Sequence, residues 1–280
     1  MESPRPTKRR RMSATATEIT RSITPPSDHN AQTGSNKSDP TDDLLDRATH
    51  VLATEAAALF NITHLYRTDP TARQGLQDSV QAIARAQASG GKLIVTGVGK
   101  SGYIAQKLVA TCKSLSIRAS FLHACEALHG DLGDIAEQDV LLFVSFSGKT
   151  AELVGLLPHV PDGVRIVALT GTTRVKDCQL LRGRRDGVLL PAPIPSREED
   201  SFGVAAPTTS TTVALAVADM LALTVAGQLH GSRTKEVFKR NHPGGAIGMS
   251  HREIERLNRD GEDFTVVELP SPSISGSDDG

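Results

Sequence analysis

The stretch IVTGVGKSGYIAQKL, residues 94–108, decides the fold class, because an apolar run leads through three glycines into a segment with helical spacing. The run KLIVTG is continuous and bounded by glycines, which is typical of a strand covered on both faces. The following YIAQKLVATCKSL has its apolar residues on one face of a helix. Strand, glycine-rich loop and helix in this order indicate one unit of a parallel sheet.

The same alternation extends outward from this stretch. Apolar runs at 139–145 and 164–170 predict two more buried strands, and shorter runs at 120–123 and 186–193 predict two weaker ones. Helical spacing is found at 45–66, 72–89, 150–160 and 211–229. Strands that alternate with helices predict an α/β fold in which a parallel sheet carries helices on both faces. In such sheets the ligand binds at the carboxyl ends of the strands.

The ends of the chain differ in composition from its middle. Residues 1–44 are rich in Ser, Thr, Pro and charge and include the basic cluster Lys8–Arg11, and residues 256–280 are acidic and rich in Ser and Pro. We expect both tails to be disordered and residues 45–255 to form one folded domain. The basic cluster leaves nuclear import open beside a cytoplasmic location. No secretory signal is expected, since no apolar segment follows the charges.

Composition disfavours several classes of function. The chain has 31 basic and 32 acidic residues, so nucleic acid is not an expected partner. Its three cysteines are widely spaced, which indicates neither a disulfide framework nor a zinc site. The apolar segment 211–229 approaches membrane-spanning length, but Asp219 lies in its middle, so we predict a buried core helix and no membrane.

The glycines of the opening stretch allow three interpretations. An ATP-binding P-loop requires a glycine five positions before Gly99, and that position is Ile94. A second G-K-T sequence at Gly148 fails in the same way, because Phe143 stands where the first glycine would be. A dinucleotide site stays open, since Gly97, Gly99 and Gly102 form G-x-G-x-x-G and Glu126 is spaced as a ribose-binding acid.

A second loop favours a phosphorylated ligand over a dinucleotide. In SFSGKT the hydroxyls of Ser145, Ser147 and Thr150 are spaced as donors at a helix start, and this loop also follows a strand. Two hydroxyl-rich loops at neighbouring strand ends suit one phosphate held by hydroxyls, backbone amides and helix dipoles. The alternative is that these hydroxyls are helix caps.

Five motifs follow one another along the chain. They are GVGKSGYIAQKL, HACEALHGDLG, SFSGKTAEL, APTTSTTVALAVADMLA and HPGGAIG, which together span roughly residues 50–250. In this order they resemble the SIS (sugar isomerase) domain family, and among its members arabinose-5-phosphate isomerase. The resemblance implies a five-stranded parallel sheet flanked by helices, a Rossmann-like three-layer sandwich. It also implies a phosphosugar substrate and a homotetramer with active sites between subunits.

The resemblance also implies roles for individual residues. The positions that match catalytic residues are Lys100, Glu152, Glu199 and His242. Glu199 lies in a predicted loop, and its match assumes no gap before APTTST. The positions assigned to substrate or phosphate binding are Gly99, Ser101, His129, Ser145, Ser147, Thr150, Thr208 and Ser210. Moving a carbonyl between C1 and C2 passes through an enediol and needs a general base and an enediolate-stabilising group. That chemistry requires no metal, and we expect no cofactor.

Some positions depart from the family pattern. Phe146 replaces a usual Asn, Lys149 replaces a Glu or another polar residue, HACEA replaces H-P-G-E-A, and REEDSFG lacks a proline. These changes surround the sugar, so they leave the identity of the substrate open. About 30 polar residues follow HPGGAIG, and we therefore expect no paired CBS regulatory domains. The hypotheses are a phosphosugar isomerase and, as the alternative, a regulatory protein that binds a phosphosugar without converting it.

Overall fold

The computed structural model describes residues 40–243. Contacts between residues divide the chain into two units, Met1–Ala57 and Ala58–Gly280, and the described part of the first unit is residues 40–57 of helix α1. The second unit contains everything that follows. The basic cluster Lys8–Arg11, the motif HPGGAIG from Gly244 onward and nearly all of both predicted tails lie outside the described residues.

The described part of the chain contains eight α-helices and five β-strands. In chain order they are α1 (Pro40–Thr68), α2 (Pro70–Ala88), β1 (Leu93–Gly97), α3 (Lys100–Ser114), β2 (Ala119–Leu122), α4 (Ala124–Ala127), β3 (Val140–Val144), α5 (Ala151–Val154), β4 (Arg165–Thr170), β5 (Val188–Pro191), α6 (Glu198–Phe202), α7 (Thr209–His230) and α8 (Thr234–Arg240).

The five strands form one parallel sheet in the order β2-β1-β3-β4-β5. The prediction of a five-stranded parallel sheet is confirmed. The chain runs outward from β1 to β2 and then returns to the other side of β1 to continue with β3. The connections after β1 and β3 therefore diverge, and ligands in such sheets bind at this point, outside the carboxyl ends of the strands.

The sheet is covered on both faces, as its uninterrupted apolar strands predict. Successive side chains of a strand point to opposite faces, so neighbours along each strand enter different cores. One core packs against α2, α3 and α7 and contains Val95, Leu142, Val167 and Leu190. The other packs against α4, α5 and short 3-10 turns and contains Ile94, Leu141, Ile166 and Leu189.

Helix α7 is the central helix of the first core. By length and composition alone, the helical segment from Thr209 to Arg240 is apolar enough to cross a membrane. However, Val213, Val217, Leu221 and Val225 recur at helical spacing and are buried in the core. The predicted core helix is confirmed.

Three local predictions were wrong. Residues 150–160 do not form one helix, because α5 stops before Gly155 and Pro158 lies in a 3-10 turn, and both residue types disfavour a helix interior. The segment around Glu199 is helix α6 and not a loop. Helix α1 starts at Pro40, before the predicted boundary at residue 45, because Pro in the first turn followed by Asp42 and Asp43 suits a helix N-terminus.

Candidate active site

A cavity of about 390 Å³ lies at the carboxyl ends of β1, β3, β4 and β5. This is the position that the parallel sheet predicts for a ligand. The first turns of α3 and α7 also reach the cavity wall, so two helix N-termini lie beside it. The polar side chains in the wall are those of Lys100, Ser101, Thr170, Glu198, Ser210 and Thr211.

The loop between β1 and α3 brings the backbone close to the cavity, and glycine is required at two positions. A Cβ on Gly97 would lie 2.7 Å from the carbonyl oxygen of Ser101, so the turn can close only without a side chain there. Gly99 has φ of 59° and precedes the first residue of α3. As a glycine, this N-cap residue has no side chain with which to cap the helix. Lys100 and Ser101 follow directly in the cavity wall.

In the loop after β3, the hydroxyls that were predicted to bind a ligand form hydrogen bonds within the loop. The hydroxyls of Ser145 and Thr150 are 2.8 Å apart, and Ser145 Oγ also accepts a hydrogen bond from the Gly148 N–H at 3.2 Å. The hydroxyl oxygen of Ser147 accepts a hydrogen bond from the Lys149 N–H at 3.1 Å. Among the described residues of the cavity wall, this loop supplies the side chain of Phe146. In this structure the hydroxyls therefore stabilise the loop.

Glu198 is fixed at the N-terminus of α7. One carboxylate oxygen accepts hydrogen bonds from the Thr208 N–H at 2.7 Å, the Ser210 N–H at 3.0 Å and the Ser210 hydroxyl at 2.8 Å. The N-cap residue Thr208 makes no side-chain cap of its own, so Glu198 supplies the acceptor that these donors require. The positive end of the α7 dipole also favours a carboxylate at this place.

The adjacent Glu199 points elsewhere. Its carboxylate forms an ion pair with Arg197, and both side chains are more than half exposed. It contributes to a neighbouring cavity, whereas the wall that contains Lys100 includes Glu198. The sequence match selected Glu199 by assuming no gap before APTTST. The cavity wall that contains Lys100 includes the adjacent Glu198, and the catalytic role of Glu199 stays a prediction.

Glu152 and His129 lie outside the described wall of the cavity. Glu152 is exposed in the first turn of the short helix α5, where a carboxylate is favoured by the helix dipole. His129 is exposed in the turn after α4, and its backbone N–H donates to the carbonyl of Glu126. Of the residues predicted for the site, the cavity wall brings together Lys100, Ser101 and Ser210.

His242 lies at the opposite end of α3 from Lys100. Its Nδ1–H donates to the carbonyl of Phe238 at 2.8 Å, and its Nε2 is 3.3 Å from the hydroxyl of Ser114. The imidazole also stacks on the Phe238 ring, with the centroids 4.1 Å apart. Because α3 runs from Lys100 to Ser114 with a rise of about 1.5 Å per residue, about 20 Å separates its ends. Within one chain, His242 is remote from the cavity.

The acid–base residues of the cavity wall are not arranged for a metal ion. Within residues 40–243, no group of three or more His, Cys, Asp or Glu side chains has the arrangement of a metal site. Glu198 and Lys100 instead place one carboxylate and one ammonium on the same wall, beside serine hydroxyls. Such a set can bind an anionic ligand, remove a proton and stabilise a developing oxyanion.

Sequence comparisons identify relatives over most of the described chain. A family model described as SIS domain matches residues 87–224. An uncharacterized protein of Helicobacter pylori is 35% identical over 238 residues, which cover 82% of this chain and 66% of that protein. Arabinose 5-phosphate isomerase GutQ of Salmonella typhimurium is 39% identical over 181 residues, which cover 64% of this chain and 54% of GutQ. The match therefore spans about half to two thirds of these curated relatives.

A solved structure supports the same relationship. An Escherichia coli CFT073 protein in complex with arabinose 5-phosphate superimposes with a TM-score of 0.61 and 31% sequence identity. The match covers 74% of this chain and 100% of that protein. Similarity of sequence and of fold therefore coincide over the region that carries the sheet and the cavity.

Proposed function

Because the chain belongs to the SIS domain family, we propose that it is a phosphosugar aldose–ketose isomerase of the type that interconverts arabinose 5-phosphate and ribulose 5-phosphate. The observation that carries this proposal is the cavity at the strand ends. It places the ammonium of Lys100 and the carboxylate of Glu198 on one wall with the hydroxyls of Ser101 and Ser210. This combination suits both an anionic substrate and proton transfer.

The two helix N-termini suggest the orientation of the substrate. Glu198 already occupies the N-terminus of α7, whereas the N-terminus of α3 has no side-chain cap. A phosphate is favoured where backbone N–H groups and a helix dipole are available. We therefore place the phosphate at Gly99 and Ser101, with the sugar carbons directed toward Glu198.

The residues of the wall account for the steps at the reacting carbons. The carboxylate of Glu198 takes the proton from C2 of the open-chain aldose and delivers a proton, the same one or one exchanged with solvent, at C1. Through the enediol between the two steps, O1 gains a proton and the O2 hydroxyl loses one. The ammonium of Lys100 stabilises the negative charge that develops on the enediolate oxygen. In this proposal Glu198 replaces Glu199 as the base, because Glu199 is paired with Arg197 outside this wall.

A second copy of the chain would complete the site. His242 lies about 20 Å from Lys100 in its own chain by the length of α3. We propose that His242, and Glu152 with it, act in the cavity of a neighbouring subunit of a homotetramer. His242 would then catalyse ring opening, since histidine is the side chain that most often serves as a general acid or base.

A regulatory protein that binds a phosphosugar without converting it is the second candidate. The observation that favours it is that Glu152, Glu199 and His242 all lie off the described cavity wall of one chain. If no second copy supplies a proton-transfer group, the wall formed by residues 40–243 contains binding groups and, as its one carboxylate, Glu198.

Incubation of the purified protein with arabinose 5-phosphate or ribulose 5-phosphate separates the two candidates. The isomerase proposal predicts that either sugar is converted to the same equilibrium mixture. Calorimetric binding without conversion would support the regulatory protein instead. If pentose phosphates neither bind nor react, both candidates are rejected for this sugar class.

A further inference from the structure

A second cavity, of about 460 Å³, lies next to the candidate active site. The two cavities share four residues of their walls, which are Phe146, Gly171, Glu198 and Ala205. The second cavity is otherwise bounded by residues 194–199, and thus by the ion pair of Arg197 and Glu199. These four residues line both cavities, and Phe146 has the largest apolar side chain among them.

The backbone of Phe146 is held at the end of the sheet. Its carbonyl oxygen accepts hydrogen bonds from the Gly171 N–H at 2.8 Å and from the Thr170 hydroxyl at 3.0 Å. Both donors belong to the end of β4 or the residue after it. The loop that follows β3 is therefore attached to the neighbouring strand at the residue that carries the ring.

The ring of Phe146 occupies space that a glycine leaves open. A Cβ built on Gly171 would lie 2.5 Å from Cε2 of the ring and 2.8 Å from Cδ2. The ring thus rests directly on the Gly171 backbone, and a larger residue at 171 would force it away. Although Phe146 is in contact with this backbone, 46% of its surface is exposed, because the ring borders both cavities.

The size of the first cavity limits what it accepts. Sites for small ligands have volumes of about 300–1,000 Å³, so a cavity of about 390 Å³ suits a small one. Lys100, Ser101 and Ser210 lie only in the first cavity, which is where phosphate and reacting carbons are placed in the proposed function. A sugar with a longer carbon chain would extend from these groups toward the ring of Phe146.

We propose that Phe146 determines substrate length by closing the first cavity against the second. The inference rests on the proposed function and deepens it, because it names the class of phosphosugar that the site accepts. With the phenyl ring in place the site takes pentose phosphates and excludes hexose and heptose phosphates. In this proposal a smaller side chain joins the two cavities, which have volumes of about 390 and 460 Å³.

Selectivity measured across a substrate series tests this role. The variants are Phe146→Ala, which removes the ring, and Phe146→Leu, a matched control that keeps a bulky apolar side chain. For each protein, kcat/KM is measured with a pentose, a hexose and a heptose phosphate, and circular dichroism checks that the variant is folded. We expect the hexose-to-pentose ratio to rise about tenfold or more in Phe146→Ala and to change by less than about threefold in Phe146→Leu.

The possible results distinguish this inference from the function on which it rests. If the wild type acts on pentose phosphates and the ratio in Phe146→Ala is unchanged, Phe146 is not a length determinant, while the proposed function stands. A wild type that prefers hexose phosphates also overturns the inference. If Phe146→Ala changes only the association of subunits, measured by analytical ultracentrifugation, the ring belongs to an interface. A wild type that neither binds nor converts any phosphosugar overturns both proposals.

Discussion

The carboxylate of Glu198 accepts two hydrogen bonds from Ser210, one from its backbone N–H at 3.0 Å and one from its hydroxyl at 2.8 Å. These bonds tie the start of α6 to the start of the core helix α7. A general base acts efficiently when its position is fixed before the substrate binds, and Glu198 meets this condition at the edge of the cavity.

We expect Glu198→Gln to lower kcat by about 10²-fold or more, because an amide cannot take a proton from the sugar. Gln retains an acceptor oxygen for Ser210, so the free energy of unfolding should change by less than about 1 kcal/mol. The matched control is Glu199→Gln, which removes a charge from the exposed pair with Arg197 and should leave kcat within about threefold. A large loss in the Glu199 variant with normal turnover in the Glu198 variant would reverse the assignment.

Complementation tests the role of His242. His242→Ala should lower kcat by about 10²-fold or more if the imidazole transfers protons. Lys100→Met should also be inactive, through loss of the ammonium that stabilises the enediolate. If the site is shared between subunits, unfolding the two variants together and refolding the mixture should restore part of the activity, since some sites then receive both native side chains. Lys113→Met, at the far end of α3, serves as the lysine control.

Failure of complementation has a specific meaning. If the mixture stays as inactive as its parents although mixed oligomers form, Lys100 and His242 do not act in one shared site. Full activity of His242→Ala alone would remove the imidazole from the mechanism. Its contacts with Ser114 and Phe238 would then be its whole contribution.

The surroundings of two helical glycines predict opposite effects of a Gly→Ala substitution. A Cβ on Gly75 would lie 2.0 Å from the backbone carbonyl oxygen of Leu189 in β5, so Gly75→Ala should destabilise the fold by about 1–3 kcal/mol. Gly227 in α7 has nothing within 4 Å of a built Cβ, so Gly227→Ala should stabilise by about 0.5–1 kcal/mol. Urea unfolding measures both. A neutral Gly75→Ala would show that α2 and β5 do not approach this closely.

Alkaline pH should lower the free energy of unfolding, because burial disfavours the ionised forms of a thiol and a phenol in the folded state. Burial raises the pKa of the Cys112 thiol from 9.0 to about 12 and raises the pKa of the Tyr66 phenol well above its usual value. As pH rises above about 9, the unfolded thiol loses its proton while the folded thiol keeps it, so the folded state binds more protons. The free energy of unfolding should therefore fall by up to about 1.4 kcal/mol per pH unit for Cys112, until its folded pKa is reached.

Comparison of pH slopes checks this effect. Unfolding by urea is measured from below the unfolded pKa of the thiol upward, for the wild type and for Cys112→Ala. The variant should lose the thiol contribution to the slope, whatever its stability at neutral pH. Identical slopes in the two proteins would show that the folded thiol ionises as readily as the unfolded one.

The fold could be predicted from the sequence because its strands are buried on both faces. Runs such as VLLFV at 140–144 have no polar residue to interrupt them, and each is followed by glycine or hydroxyl residues at the strand end. The ends of the helices were harder to predict from the sequence. Gly155 and Pro158 break one predicted helix, and the short helix α6 has too few turns to show a period.

The candidate site could be predicted only in part from the sequence, for a different reason. Spacing identifies a loop with several hydroxyls, but it does not say whether Ser145 and Thr150 bond a ligand or each other. Glu198 and Glu199 are adjacent, and only the backbone of α6 decides which carboxylate faces α7. The distance between His242 and Lys100 does not follow from their order in the sequence. It depends on the length of α3 and the path of α8.

Solvent exchange at the sugar carbon tests the central claim most directly, because it detects proton removal even when net conversion is slow. The protein is incubated with arabinose 5-phosphate in D₂O, and the C2 proton is followed by NMR, with Glu198→Gln as the control. The account predicts that deuterium enters at C2 with the wild type and that the rate falls at least about 10²-fold in the variant. Calorimetric binding of the sugar by the wild type with no deuterium at C1 or C2 and no ribulose 5-phosphate formed would contradict it.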